Sequence, residues 1–145
     1  VDDSVCAVRS ALQEGIIPGG GLTLYDIGKK LTCDCNDRGA PANNFEIGRE
    51  ILGEAMQSPL KQILINAGKD PEEIMDTIYK DLKVEEMRED EQNTKGYNVV
   101  TESCEDMYEA GIIDPLKVTK QAVLNAVSVA TTILTTNAII THARK

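Results

Sequence analysis

Aromatic side chains are scarce in this chain: 145 residues carry no Trp, one Phe and four Tyr. A core has to be filled instead by Val, Ile, Leu, Ala and Met. Positive charge is short as well. Lys and Arg number 15 against 24 Asp and Glu, a net charge of −9, and no basic stripe or cluster stands out, which argues against nucleic-acid binding. No apolar run reaches the ~20 residues of a membrane span. The most apolar stretch, residues 122–134, is broken by Asn125, Ser128, Thr131 and Thr132 and reads as a buried helix. Neither an initiator Met, a basic n-region nor an apolar h-region stands at the start, so the sequence shows no secretory signal and reads as a fragment. The four cysteines fit neither a small disulfide framework nor a paired CxxC zinc site, so reduced thiols are expected. Cys33 and Cys35 are the one close pair and read as loop thiols, and no residue is assigned to a metal.

What is present is 41% hydrophobic residues, enough for one compact domain with a modest core. Apolar spacing predicts a helix over residues 3–13 on Val5, Val8 and Leu12, ended by Gly15, and a second over 20–31 on Leu24, Ile27 and Leu31. Residues 33–44 read as a polar loop. A helix over 45–57 is expected to stop at Ser58-Pro59, because Pro cannot donate to the preceding turn. Leu60, Ile63, Leu64 and Ala67 then form the clearest amphipathic stripe, capped by Gly68. Asp70-Pro71-Glu72-Glu73 supplies an N-cap, a proline at the first helical position and a glutamate at the third, launching a helix on Ile74, Ile78 and Leu82. The charged stretch 83–95 reads as a solvated loop or frayed helix end. Residues 97–101, YNVVT, form the best strand candidate, with a hairpin to a neighbour. A short helix over 104–110 ends at Gly111. Asp114-Pro115 repeats the cap-then-proline device and opens a helix to about residue 134, expected to be the hub of the core, and residues 137–141 read as a terminal strand.

One stretch asks for chemistry. Between the first two helices, residues 15–21 hold four glycines and a proline, although glycine is costly to order. Glycines opening a helix can form an anion site, because free N–H groups and the helix dipole face the ligand. The run lacks the lysine of a P-loop, and Leu24 stands where GxGxxG needs its last glycine. A tight helix–helix turn explains it as well. Taken singly, Asp114 reads as an N-cap, Asp3 as a partner of the helix dipole and Asn98 as a turn former.

Together the stretches VDDSVCAVRSALQEGIIPGGG, SPLKQILINAG and GYNVVTESCEDMYEAGIIDPLKVTKQAVLNAVSVA resemble the C-terminal part of the group I chaperonins, the GroEL family. The resemblance runs in order over nearly the whole chain, and the pairing of EGIIPGGG with AGIIDPLKVT carries most of its specificity. It implies a mainly α fold, a helical bundle of the chaperonin equatorial-domain type with a small β-hairpin and a short C-terminal strand. Residues 1–12 would be the last helix of the intermediate domain and 13–145 the C-terminal half of the equatorial ATP-binding domain. The apical domain and the N-terminal equatorial half would be absent.

Carried over by motif, Asp3 matches the carboxylate that positions the attacking water in ATP hydrolysis, and Gly20 the glycine whose backbone approaches the nucleotide. Asn98 and Val100 match positions facing the adenine, with Val99 between them. Ile112 would line the base pocket and Asp114 would accept hydrogen bonds from the ribose hydroxyls. Val99-Val100 is bulkier than the small residues many relatives carry there, and the 83–95 segment is longer than the expected glycine-containing link. The resemblance implies ATP with Mg2+, and allows K+, held mainly by the missing half. It implies ring homo-oligomers with other chaperonin subunits, with unfolded clients and a co-chaperonin engaged through the absent apical domain, and neither nucleic acid nor a membrane as partner. A bacterial cytoplasm is the expected location, with an organellar matrix or stroma as the other. A non-catalytic equatorial remnant serving as an oligomerisation module is the competing reading. A small unrelated nucleotide-binding regulator would need a lysine or arginine near residues 19–21, and the loop has none.

Overall fold

The computed structural model describes residues 2–36, 43–85, 94–138 and 140. Two compact units form, Val1–Ile16 with Pro115–Lys145, and Ile17–Asp114.

In the first unit, helix α1 (Asp2–Glu14) carries Asp2 and Asp3 in its opening turn, where carboxylates favour the helix dipole. Gly15, at φ +90°, stops it and bonds back to the Ala11 carbonyl. Helix α5 (Leu116–Leu134) belongs to the same unit, and Lys117 and Lys120 reach Gln13 and Glu14 of α1 at 2.5 and 3.0 Å. The expectation that α5 is the core hub is wrong. It has no buried residue, and Leu124, Val127, Val129, Ile133 and Leu134 are all exposed. Periodicity reports that a helix is apolar on most faces, not that partners surround it. No helix among the described residues is long and apolar enough to cross a membrane.

The core lies in the second unit. Helices α2 (Leu22–Asn36), α3 (Asn44–Asn66) and α4 (Pro71–Glu85) bury Leu22, Tyr25, Leu60, Leu64, Met75 and Ile78 together with Met107. The aromatic-poor interior still turns on one ring, since the Tyr25 hydroxyl donates to the Met75 carbonyl at 2.9 Å inside this cluster. α2 and α3 approach closely through two glycines: a Cβ on Gly28 would sit 2.5 Å from the Gly53 carbonyl oxygen.

Several boundaries differ from expectation. α2 runs to Asn36, so Cys33 and Cys35 are helical rather than in a loop. α3 opens on a full capping box, with Asn43 accepting from Phe45 and Glu46 and the Glu46 side chain accepting from Asn43. It then continues through Pro59 without the expected break. Gly53, Gln57, Leu60 and Leu64 form one buried stripe across the proline. A break would turn the two leucines out of line with the rest, and burying them is worth about 3–6 kcal/mol together, against ~3 kcal/mol for a helical proline. Pro59 and Ala55, the residue whose carbonyl a helical donor at 59 would have met, both lie on the exposed side of the helix.

The end of α3 follows its sequence signals. Gly68, at φ +71°, donates to the Ile65 carbonyl and Lys69 to the Leu64 carbonyl, the paired bonds of a Schellman ending. Asp70 then caps α4 by accepting from Glu72 N at 2.9 Å. The strand foreseen at 97–101 lies two residues earlier, as β2 (Lys95–Asn98), and it pairs antiparallel with β3 (Ser103–Asp106) in the register Tyr97 to Cys104. The expected 104–110 helix is therefore a strand followed by a turn. Asp106 holds that turn by accepting from Tyr108 and Glu109 N, while Met107 drops into the core. Of the charged 83–95 stretch, α4 claims residues up to Glu85 and β2 begins at Lys95, with 86–93 outside the described residues. Of the expected terminal strand, residues 137, 138 and 140 are not in strand conformation, and 139 and 141 lie outside the described residues. Two three-residue strands were not foreseen, β1 (Ile16–Pro18) and β4 (Ile113–Pro115), which form a second two-stranded sheet.

Candidate functional site

The glycine run joins β1 to α2, and its three members answer to different constraints. Gly19 donates to the Ile112 carbonyl at 2.9 Å, so close that a Cβ there would stand 3.1 Å from the Ile112 and Ile113 backbone. Gly21, at φ +78°, lies against α3, where a Cβ would come within 2.9 Å of Leu60 N. Both are packing glycines. Gly20 is different: its φ of +67° favours glycine, but an added Cβ would meet only the Ile112 Cγ2 at 3.9 Å, an ordinary contact. Among the described residues nothing else comes within 4 Å of that Cβ.

Ile112 borders Gly20 and is fixed from both sides. Its N–H donates to the Met107 carbonyl at 2.8 Å, its own carbonyl accepts from Gly19, and its side chain packs against the core cluster, as Val99 does. Asp114 stands two residues on, within the short strand β4. Its expected role as an N-cap fails, because Pro115 occupies the cap position and no side chain caps α5. The Asp114 carboxyl is half-buried, and desolvation pushes its pKa above the ordinary aspartate value. Among the described residues it has neither a hydrogen-bond donor nor a cation. A carboxylate so placed is stabilised by any ligand that brings hydroxyl or amide donors.

The β2–β3 turn carries the remaining candidates. Asn98 does form the turn: its Oδ1 accepts from Val100 N at 2.9 Å, and its Nδ2 donates to Glu105. Thr101 Oγ1 also reaches Glu105, at 3.2 Å. Val99 is the apolar residue of the turn that packs inward, whereas Val100 is 86% exposed. Glu102, at φ +56°, closes the turn and pairs with Lys69 at 2.8 Å. That bond holds the Lys69 ammonium above its ordinary pKa. Neither Lys69 nor Glu102 was foreseen as part of the site, since two surface charges 33 positions apart leave no local pattern.

Gly20, Ile112, Asp114, Asn98, Val99 and Val100 all belong to the second unit, with Ile112 and Val99 on its shared core cluster. Asp3 belongs to the first, exposed in the opening turn of α1. A separate groove of about 690 Å³ runs between α2 and α3, lined by Lys29, Thr32, Glu50, Glu54 and Gln57 among others, and none of the candidates lines it. No group of three or more His, Cys, Asp or Glu among the described residues is placed to hold a metal ion. A family model described as the TCP-1/cpn60 chaperonin family matches residues 1–144 of the chain.

Proposed function

The chain belongs to the TCP-1/cpn60 chaperonin family, and from that premise we propose that it forms part of a group I type subunit that couples ATP binding and hydrolysis to protein folding. A chaperonin role in folding, in assemblies with other subunits, comes with the family. In the proposed assignment, residues 1–12 end the intermediate domain and 13–145 complete the C-terminal side of an equatorial ATP-binding domain, in a bacterial cytoplasm.

Asp114 carries the nucleotide reading. It is a half-buried carboxylate with no donor among the described residues, two residues after an isoleucine that borders Gly20. Ribose hydroxyls would supply donors to the carboxylate, the Ile112 side chain an apolar wall for the base, Asn98 and Val100 the positions facing it, and the bare Gly20 backbone room for close approach. Asp3 would act on the chemical step, orienting the water that attacks the terminal phosphate, since phosphoryl transfer asks a protein mainly for positioning and charge stabilisation. The donor set here does not suit Mg2+, which would neutralise phosphate charge while held by residues elsewhere in the polypeptide. A second reading, a non-catalytic oligomerisation module, draws on the exposed apolar residues of α5.

The test is phosphate release by the intact subunit that carries this chain. Asp3→Ala is expected to lower kcat about 100-fold or more with little change in ATP affinity. Hydrolysis that survives Asp3→Ala removes the catalytic assignment. Calorimetry of the 145-residue chain alone is expected to show no micromolar affinity for Mg-ATP, because no phosphate-gripping run is present in it.

A further inference from the structure

The turn between β2 and β3 spans residues 99–102, since Asn98 and Ser103 are the last paired positions of the hairpin. Its own hairpin restrains it through Glu105, which accepts from Asn98 and Thr101, and through Ser103 Oγ, which donates to Thr101 Oγ1 at 3.0 Å. A further restraint comes from a different element. Lys69 Nζ lies 2.8 Å from Glu102 Oε1, with the Lys69 side chain partly covered and the Glu102 side chain exposed.

Both ends of this link are unusual. Lys69 is the closing residue of the α3 Schellman ending, and its N–H is bonded at 3.0 Å to the carbonyl of Leu64, which is fully buried. The ammonium therefore projects from a point fixed to the core. Glu102 sits at φ +56°, a left-handed conformation that residues with side chains adopt at a cost and keep when surroundings impose it. Val99 and Val100 lie between the last β2 residue and this glutamate, so Glu102 adds a restraint to those that core packing of Val99 and the Val100 N to Asn98 bond supply.

We propose that Lys69 is a positioning residue for nucleotide binding: through Glu102 it fixes the 99–100 turn against the base without touching the nucleotide. The proposal rests on the reading of Asn98 and Val100 as base-facing residues, with Val99 between them. Such a link acts on how well the base is held and not on the chemical step, so its loss shows in KM and in base preference, with kcat unchanged.

The experiment compares Lys69→Met, Glu102→Gln, the double variant and the charge swap Lys69→Glu with Glu102→Lys in the intact subunit. Each single variant is expected to raise KM for ATP about threefold to fivefold, as an exposed ion pair allows, and to narrow the preference for ATP over GTP. Amide exchange at residues 99–102 is expected to quicken, the double variant to be no worse than either single one, and the swap to restore both KM and preference. Faster exchange with unchanged KM and base preference would overturn the proposal and leave the nucleotide reading intact. A wild-type subunit that binds neither ATP nor GTP would overturn the nucleotide reading itself, and this proposal with it.

Discussion

Replacing Gly21 by alanine separates conformational from packing strain in the glycine run, because its neighbour Gly20 serves as a control. Both residues have positive φ, +78° and +67°, and a left-handed residue with a Cβ costs roughly 1–2 kcal/mol at either site. Their surroundings differ. At Gly21 the new methyl group would lie 2.9 Å from Leu60 N and 3.2 Å from its Cα, which are backbone atoms in the middle of α3 and cannot rotate aside. Forcing the two helices apart there adds about 1–3 kcal/mol. At Gly20 the nearest atom is a side-chain methyl at 3.9 Å, which adds nothing. Gly21→Ala should therefore cost about 2–5 kcal/mol and Gly20→Ala only about 1–2, a large share of a total near 5–15 kcal/mol. Urea unfolding at pH 7, followed by helical circular dichroism, reads the difference as separate midpoints at equal slope. Equal midpoints for the two variants would refute the claim that Gly21 is held by the approach of α2 to α3.

Gly28→Ala tests the same helix pair further along: the added Cβ would fall 2.5 Å from the Gly53 carbonyl oxygen, so a loss of about 2–3 kcal/mol is expected in the same urea assay. Asp114→Asn tests the half-buried carboxylate. Burial raises the folded pKa of Asp114 above its unfolded value, so its contribution to stability is fullest below the unfolded pKa and falls as pH rises through the folded one. The asparagine variant should accordingly be more stable than the parent at pH 7 and gain nothing at pH 3, where the acid is neutral in both states. A variant less stable at pH 7 would mean that the carboxylate is satisfied within the fold.

Helix ends were the most legible feature of the sequence, because a cap is a local device. Gly15, Gly68 and the Asp70-Pro71 pair stop and start helices where their chemistry demands. What resisted reading depends on partners distant in sequence. Residues 104–106 have no strong preference of their own and become strand by pairing with 95–97, which also delivers Met107 to the core beside Leu22. β1 and β4 are three residues each, too short to show a period. Pro59 broke a local rule on an exposed face, where the neighbouring buried stripe outweighed it. For α5 the apolar pattern was correct and the inference from it was not, since a pattern does not name the surface that covers it.

The candidate site emerges where two identical local signals lead to different outcomes within one chain. Asp70-Pro71 and Asp114-Pro115 are the same dipeptide before a helix, yet Asp70 spends its carboxylate on Glu72 N while Asp114 caps nothing and loses hydration. Gly19, Gly20 and Gly21 are the same residue three times, yet the outer two are pressed against backbone and the middle one faces only a side-chain methyl among the described residues. At Asp70, Gly19 and Gly21 the fold supplies a sufficient reason for the residue. At Asp114 the described residues supply a cost without a compensating contact, and at Gly20 they supply a conformation without a packing need. Positions that break a local rule without repayment from the surrounding structure are where function is expected to act.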